Sequence, residues 1–204
     1  TFQRLSKASL FKKPIIVTSK DYLNYIEDSI TRTGIEPEKI ILEPLPKNTF
    51  PAISMAVLTV LLKHKSEDFI ATPSDHYISR NKEFYTSCEI GRDNLKKRGL
   101  TLFGVKPENA STEFGYITAN NLTKNITEVK EFMEKPDSMK AKEIYNQKGV
   151  LWNSGIFVWK AKIILLEMKT FMCELHESLD AIYDSISTKE YDIVLDREWE
   201  LVNS

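Results

Sequence analysis

The first half of the chain alternates short apolar runs with longer amphipathic segments. The apolar runs predict strands at residues 14–19, 39–43, 68–73 and 100–105. Between them, apolar residues recur at helical spacing, and Gly34 follows the first such segment as a predicted helix C-cap. Continuous apolar strands that alternate with helices are typical of a mostly parallel sheet covered on both faces. The pattern therefore predicts a doubly wound α/β fold.

This alternation of strand and helix patterns ends after Val105. Residues 114–121 and 126–135 alternate apolar and polar positions and are joined by a short polar segment, which predicts an antiparallel excursion beside the parallel sheet. A helix starting near Asp137, a strand at 150–160 and further helices after it are predicted next. No repeat or low-complexity linker interrupts the pattern, so we expect a single domain over residues 1–204.

Composition removes several classes of protein from consideration. The sequence is 42% hydrophobic and 28% charged with a formal net charge of −1, so charge does not indicate a nucleic-acid partner. It contains no signal-peptide pattern and no run of about 20 apolar residues, and we therefore expect a cytoplasmic protein without a membrane partner. Cys88 and Cys173 lack metal-binding or redox spacing, and both are expected to be buried and reduced.

Polar clusters follow three of the predicted strands, at residues 43–49, 74–76 and 134–135. In open α/β sheets, ligands collect outside the carboxyl ends of the strands. The positions of the clusters therefore favour a binding site, although loops are polar in any protein.

Individual residues in and near these clusters have suitable chemistry. Asp75 could hold Mg²⁺ with one carboxylate, or could equally cap the next turn. Glu134 could accept hydrogen bonds from sugar hydroxyls, Lys135 could meet a phosphate, and Asn153 offers both a donor and an acceptor. Gly115 would let a ligand approach the backbone closely. For Glu134, Lys135 and Asn153, the structural interpretation of each residue taken alone outweighs the functional one, and only the combination changes the balance.

The order and spacing of five motifs carry a family resemblance. "EPLPKNTFPAI", "ATPSDHYI", "FGVKPENASTEFGYI", "VKEFMEKPD" and "LWNSGIFVW" resemble the mannose-1-phosphate guanylyltransferases over nearly the whole chain. Enzymes of that family make GDP-mannose and pyrophosphate from GTP and mannose 1-phosphate. Single motifs are shared with other sugar nucleotidyltransferases, whereas Asn-Thr-x-Pro-Ala together with Trp-Asn-Ser-Gly indicates the mannose branch.

The resemblance implies a fold, a cofactor and a set of site residues. The fold is that of a nucleotide-diphospho-sugar transferase, a Rossmann-like α/β/α sandwich, and the cofactor is Mg²⁺ bound by Asp75. The implied catalytic residues are Asp75 and Lys135. The implied sugar contacts are Gly115, Glu134 and Asn153, with Lys135 on the sugar phosphate. The implied nucleotide contacts are Glu43, Pro44 and Asn48.

Two features of the family do not occur in this sequence. They are the glycine-rich loop after the first strand and a second metal-binding aspartate in a Ser-x-Asp-Tyr-like stretch. We therefore expect a domain that is incomplete at both ends and a gap in the sheet that favours self-association. Little or no transferase activity is expected from the 204 residues alone.

Two other readings compete with the enzyme. One is a noncatalytic remnant or regulatory chain that binds a nucleotide sugar or a partner subunit. An in-frame glycine-rich loop encoded before Thr1 would favour the enzyme, and a stop codon there would favour the remnant. The other, a dinucleotide-dependent oxidoreductase, is disfavoured because no G-x-G-x-x-G turn follows any predicted strand.

Overall fold

The computed structural model describes residues 1–6, 9–63, 68–96, 99–120, 122 and 125–202, with the side chains of residues 62 and 63 left out of the description. The chain divides into two compact units. The first unit comprises residues 1–67 and 160–204, and the second comprises residues 68–159. Whether the whole chain acts as a single domain stays a prediction.

Helices and strands alternate in the first half of the chain, whereas further along three strands and later three helices follow one another directly. In chain order they are α1 (Phe2–Leu5), β1 (Ile15–Ser19), α2 (Leu23–Thr33), β2 (Lys39–Glu43), α3 (Thr49–Lys63), β3 (Asp68–Ala71), α4 (Asn81–Asn94), β4 (Leu100–Val105), β5 (Tyr116–Ala119), β6 (Val129–Met133), α5 (Ser138–Tyr145), β7 (Val150–Lys160), α6 (Ala161–Phe171), α7 (Cys173–Ser185) and α8 (Tyr191–Leu201). None of the helices among the described residues is long and apolar enough to cross a membrane.

The first unit contains a parallel strand pair covered by helices. β1 and β2 run parallel, with Ser19 opposite Glu43 at their carboxyl ends. Helix α2 connects them and ends at Gly34, whose φ of 64° is the left-handed conformation predicted for a C-cap. Helix α3 packs against both strands and against α6 and α7. This arrangement confirms the predicted strand-helix-strand unit.

The second unit contains a five-stranded sheet in which β7 is the longest strand. The strands lie in the order β3-β7-β5-β6, and β4 also pairs with β7. The pairings β4–β7, β5–β7 and β5–β6 are all antiparallel. The antiparallel part is larger than predicted, because apolar alternation identifies strands without giving their direction. The α/β class itself is confirmed.

Helix α5 covers one face of the sheet formed by β5, β6 and β7. The Asp137 carboxylate accepts hydrogen bonds from the backbone N–H groups of Met139 and Lys140 at 2.9 and 2.8 Å, which fixes the start of this helix. Beneath the helix lies a core cluster of Tyr116, Ala141, Ile144 and Val150, with Ala110, Met133 and Trp152 packed against it. One face of the sheet is thus apolar and occupied.

The prediction for the two cysteines is half right. Cys88 is buried in α4, as expected, whereas Cys173 is exposed. Cys173 begins α7, where its thiol donates to the carbonyl of Lys169 at 3.2 Å instead of entering the core.

Candidate functional site

Three of the predicted sugar-binding residues lie side by side on adjacent strands. Antiparallel pairing places Tyr116 of β5 opposite one residue of β6 and one of β7. One residue earlier along β5, the same register brings Gly115 beside Glu134 and Asn153. The N–H of Asn153 donates to the carbonyl oxygen of Gly115 at 2.7 Å. We call these three residues, Gly115, Glu134 and Asn153, the polar row.

Gly115 lies very close to the side chains of the other two residues of the row. A Cβ atom added to Gly115 would lie 2.6 Å from Oε2 of Glu134 and 3.5 Å from Cβ of Asn153. Real Cβ atoms do not approach an oxygen that closely, so the carboxylate of Glu134 occupies space that any other residue at position 115 would fill. The side chains of Glu134 and Asn153 therefore share one face of the sheet, and this face is opposite to the one covered by α5.

Hydrogen bonding orients the amide of Asn153. Its Oδ1 accepts a hydrogen bond from the backbone N–H of Gly155 at 3.1 Å, which leaves the NH₂ group as the donor toward a ligand. An ionised Glu134 carboxylate only accepts hydrogen bonds. A donor and an acceptor side by side match a sugar hydroxyl, which can donate and accept at once.

Lys135 has an unusual backbone conformation. Its φ is 39°, in the left-handed region, and it is a non-glycine residue. Such a conformation costs about 1 kcal/mol for an L-residue, and strained positions of this kind cluster at functional sites. The chain turns away from β6 here, because buried Pro136 follows at once and cannot donate to a strand. The exposed side chain of Lys135 leaves the chain next to the polar row.

The loop after β3 contains Asp75 and contacts β7, the strand that carries Asn153. A Cβ atom added to Gly155 of β7 would lie 3.2 Å from Cγ of Pro73, so the loop contacts β7 two residues beyond Asn153. Asp75 follows Pro73 by two residues, a reach of about 7 Å along the chain. Its side chain is exposed. The structure thus brings the loop with the predicted metal ligand to the strand that carries one member of the polar row.

The predicted nucleotide-binding residues lie in the first unit, after β2. Glu43 is the last residue of β2 and is buried, Pro44 is half-buried and Asn48 is exposed. Two contacts to the C-terminal helix region fix the loop between them. Trp199 Nε1 donates to the carbonyl of Leu45 at 2.8 Å, and Lys47 Nζ donates to the carbonyl of Val202 at 2.6 Å.

The buried carboxylate of Glu43 contacts this loop. Burial raises the pKa of Glu43 above its ordinary value, and a hydrogen bond from the backbone N–H of Lys47 to its carboxylate opposes this shift with a smaller effect. Its Oε1 is buried and has no hydrogen-bond partner among the described residues. Glu43 therefore shapes the loop, and a direct contact with a nucleotide stays a prediction that requires the loop to open.

Comparison with known sequences decides the family. The sequence profile described as "Nucleotidyl transferase" matches residues 1–199, almost the entire chain. The chain belongs to the nucleotidyl transferase family. The predicted family is confirmed at this level.

Individual relatives of this nucleotidyl transferase carry more specific names. The mannose-1-phosphate guanylyltransferase of Sinorhizobium fredii is 30% identical over 173 residues, which cover 83% of this chain and 33% of that protein. Curated relatives of the chain are longer, and the chain spans between 33% and 41% of the length of three of them.

Solved structures confirm the fold. The structure of mannose-6-phosphate isomerase from Helicobacter pylori matches with a TM-score of 0.77 and 32% identity, covering 90% of this chain and 69% of that one. A structure from Thermus thermophilus described as a mannose-1-phosphate geranyltransferase matches with a TM-score of 0.79 and 21% identity, covering 98% of this chain and 55% of that one. The nucleotide-diphospho-sugar transferase fold is therefore shown.

The donor set of this nucleotidyl transferase can be tested against Mg²⁺. The described residues contain no group of three or more His, Cys, Asp or Glu side chains placed to hold a metal ion. Mg²⁺ commonly binds proteins through only one or two carboxylates and takes its remaining ligands from substrate phosphates and water. Exposed Asp75, in the loop after β3, fits such a site, in which the substrate completes the coordination.

Sequence reasoning missed the residues that fix the loop over residues 43–48. Trp199 is fully buried, and it contacts Leu45 across 154 positions of sequence. No local pattern indicates such a contact. The tryptophan is an apolar residue of a helical pattern, and only the fold shows what its indole N–H binds.

Proposed function

We propose that this chain carries the sugar-phosphate site of a mannose-1-phosphate guanylyltransferase, which makes GDP-mannose and pyrophosphate from GTP and mannose 1-phosphate. The observation that carries the proposal is the polar row, in which three residues from three sequence motifs meet on one face of the sheet. The name of the Sinorhizobium fredii relative supports the mannose substrate and the guanylyl transfer.

The polar row would bind the sugar by its hydroxyl groups. The carboxylate of Glu134 accepts hydrogen bonds from two hydroxyls, or two bonds from one, and the amide NH₂ of Asn153 donates to a neighbouring hydroxyl oxygen. Gly115 has no side chain, which leaves room for the carboxylate of Glu134 in this position. A site built to hydrogen-bond hydroxyl groups discriminates strongly against ligands that lack them, because its polar groups would then stay unpaired.

Lys135 would bind the phosphate of the sugar. Its ammonium group follows Glu134 directly, so the phosphate would lie beside the sugar hydroxyls that the carboxylate holds. The left-handed backbone of Lys135 sets the direction in which its side chain leaves the strand. A cation fixed in this way lowers the repulsion between the two phosphate-bearing substrates.

The reaction is a single displacement at phosphorus. An oxygen of the mannose 1-phosphate forms a new bond to the α-phosphorus of GTP, while the bond from that phosphorus to the bridging oxygen of the β-phosphate breaks. Pyrophosphate leaves with that electron pair, and no covalent bond to the protein forms. The protein contributes alignment of the two substrates and stabilisation of charge. When bound by Asp75, Mg²⁺ would neutralise phosphate charge and orient the pyrophosphate.

The loop over residues 43–48 would bind the nucleotide. Pro44 and Asn48 offer a half-buried apolar surface and an exposed amide, and the amide can both donate to and accept from a base edge. The contacts of Trp199 and Lys47 hold the loop in one conformation, which reduces the entropy lost on binding. The buried Glu43 stabilises the loop.

The alternative is a noncatalytic chain of the same fold that binds a sugar nucleotide or a partner subunit. It keeps the polar row but releases no pyrophosphate. Binding and turnover therefore have to be measured separately.

The test uses binding to the 204-residue chain and turnover by the full-length native protein. We expect saturable calorimetric binding of mannose 1-phosphate to the chain, weakened at least tenfold in Glu134→Ala. We expect release of pyrophosphate by the native protein with GTP, mannose 1-phosphate and Mg²⁺, lost in Asp75→Ala. The exposed Lys106→Ala variant is the control for both measurements.

Each result decides between the two functions. Binding with turnover establishes the transferase. Binding without turnover establishes the noncatalytic chain. A folded chain that does not bind mannose 1-phosphate would refute the assignment of the polar row.

A further inference from the structure

Phe132 belongs to the motif "VKEFMEKPD" and lies beside the polar row, but the family resemblance assigns it no role. It is the fourth residue of β6, and its register partner is Ile117 of β5. Since side chains alternate along a strand, Phe132 and Glu134 emerge on the same face of the sheet. The side chain of Phe132 is 45% exposed, whereas its partner Ile117 is buried.

The ring of Phe132 leans toward Gly115. A Cβ atom added to that glycine would lie 3.2 Å from Cζ of Phe132, besides its close approach to the Glu134 carboxylate. The tip of the ring and the carboxylate thus both lie over the buried Gly115, where a side chain at that position would be. One side of this position is apolar and the other is charged.

Two aromatic residues that neighbour the row in sequence contact each other. Phe114 stacks on Trp152 with ring centroids 4.7 Å apart, and Trp152 packs against the core cluster beneath α5. Phe114 remains 44% exposed despite this stacking, about as much as Phe132. Phe132 is distinguished by the approach of its ring tip to the Cβ position of Gly115.

An exposed phenylalanine alone needs no explanation, since isolated apolar residues are common on protein surfaces. Its position next to a hydrogen-bonding row is informative, because binding sites combine aromatic walls with a few convergent polar groups. A pyranose has hydroxyl groups around its rim and C–H groups on its faces. The C–H groups are weakly positive and are attracted by the negative face of an aromatic ring.

We infer that Phe132 is a further sugar-binding residue, whose ring packs against a C–H face of the pyranose that Glu134 and Asn153 hold by its hydroxyls. The inference rests on the proposed function, because it names a further contact of the same site. It assigns two ligand contacts to the edge strand β6 and the residue that follows it, at positions 132 and 134. The ring contributes to binding of the sugar and contributes nothing to binding of a nucleotide.

The test is a substitution series at position 132, measured by calorimetric titration of the 204-residue chain with mannose 1-phosphate and, separately, with GTP. Phe132→Ala should weaken binding of mannose 1-phosphate about fivefold to tenfold and leave binding of GTP unchanged. Phe132→Tyr should bind within about twofold of the wild type, and Phe132→Leu should lie between the two extremes.

A matched control removes another exposed phenylalanine. Phe171 is 77% exposed at the end of α6, and Phe171→Ala should bind mannose 1-phosphate as the wild type does. Circular dichroism melting curves check that every variant is folded. The tyrosine variant keeps the ring, so it separates loss of the ring from any disturbance of β6.

The outcomes separate this inference from the proposed function. If the wild type binds mannose 1-phosphate and Phe132→Ala binds it equally well, the role of the ring is wrong and the polar row stands. If Phe132→Ala weakens mannose 1-phosphate and GTP alike, the ring has no specific sugar contact and the inference fails. If the folded wild type binds no mannose 1-phosphate, the proposed function fails and the inference fails with it.

Discussion

The carboxylate of Glu134 occupies the space in which a side chain at position 115 would lie. Gly115 and Glu134 therefore fit each other across two neighbouring strands. The distance from Oε2 of Glu134 to the Cβ position of Gly115 is 2.6 Å. Gly115 precedes β5 and Glu134 follows β6. Antiparallel pairing makes these two ends neighbours, so residues 19 positions apart in sequence act as one unit.

Gly115→Ala should impair sugar binding far more than stability. The added methyl group meets the end of a flexible side chain, so the carboxylate of Glu134 can move away at a cost of about 1 kcal/mol or less. Once displaced, that carboxylate no longer accepts from the sugar hydroxyls. We expect about tenfold weaker calorimetric binding of mannose 1-phosphate, with little change in urea denaturation.

The control for this change is Gly91→Ala in α4. A Cβ atom there would meet its nearest neighbours at 3.5 to 3.7 Å, which are ordinary contacts. Alanine also favours a helix interior by up to about 1 kcal/mol over glycine. Gly91→Ala should therefore be as stable as the wild type or more stable, with unchanged binding. Unchanged binding in Gly115→Ala would show that the carboxylate position is irrelevant to the ligand.

Much of the fold could be predicted from the apolar pattern, since β2 and β4 have the predicted bounds and Gly34 ends α2 as expected. Strand direction could not be predicted in the same way. An apolar run has the same composition whichever way its neighbour runs, so the antiparallel pairing of β4 with β7 was not foreseen. That pairing depends on contacts between residues about fifty positions apart.

The candidate site, like the fold, could be predicted from the sequence only in part. The rule that ligands collect after strand ends predicts Glu134, but Gly115 lies before a strand and Asn153 lies inside β7. Their motifs were identified from the family resemblance, and their proximity is visible only in the structure. Phe132 was overlooked because its place in an alternating strand is sufficient to explain a phenylalanine, and its exposure cannot be read from the sequence.

Lys135→Asn should separate the charge of this residue from its backbone conformation. Asparagine tolerates positive φ better than lysine, so the variant should be as stable as the wild type or more stable by up to about 1 kcal/mol. It lacks the ammonium group that is proposed to meet the sugar phosphate. We expect at least tenfold weaker calorimetric binding of mannose 1-phosphate and a loss that Lys135→Arg largely restores.

The exposed Lys106 provides the control for loss of a positive charge. Lys106→Asn removes one lysine from the same unit and should leave binding unchanged. Equal losses in both variants would indicate a long-range effect of net charge, which salt would screen. Such a result would refute a direct contact between Lys135 and the phosphate.

Glu43→Gln should change how stability depends on pH. Burial raises the pKa of Glu43 in the folded state above its ordinary value of 4.5, so the folded protein binds this proton more tightly than the unfolded chain. The stabilisation is complete below that ordinary value and is lost as the pH rises through the raised pKa. Glutamine does not titrate, and its Oε1 can still accept from the N–H of Lys47. Urea denaturation between pH 4 and 7 should show Glu43→Gln gaining stability relative to the wild type as the pH rises.

Exposed Glu27→Gln, in the same unit, should show no such trend. A Glu43→Gln variant that loses stability relative to the wild type with rising pH would mean that the loop stabilises the charged carboxylate, contrary to its buried and unpartnered Oε1.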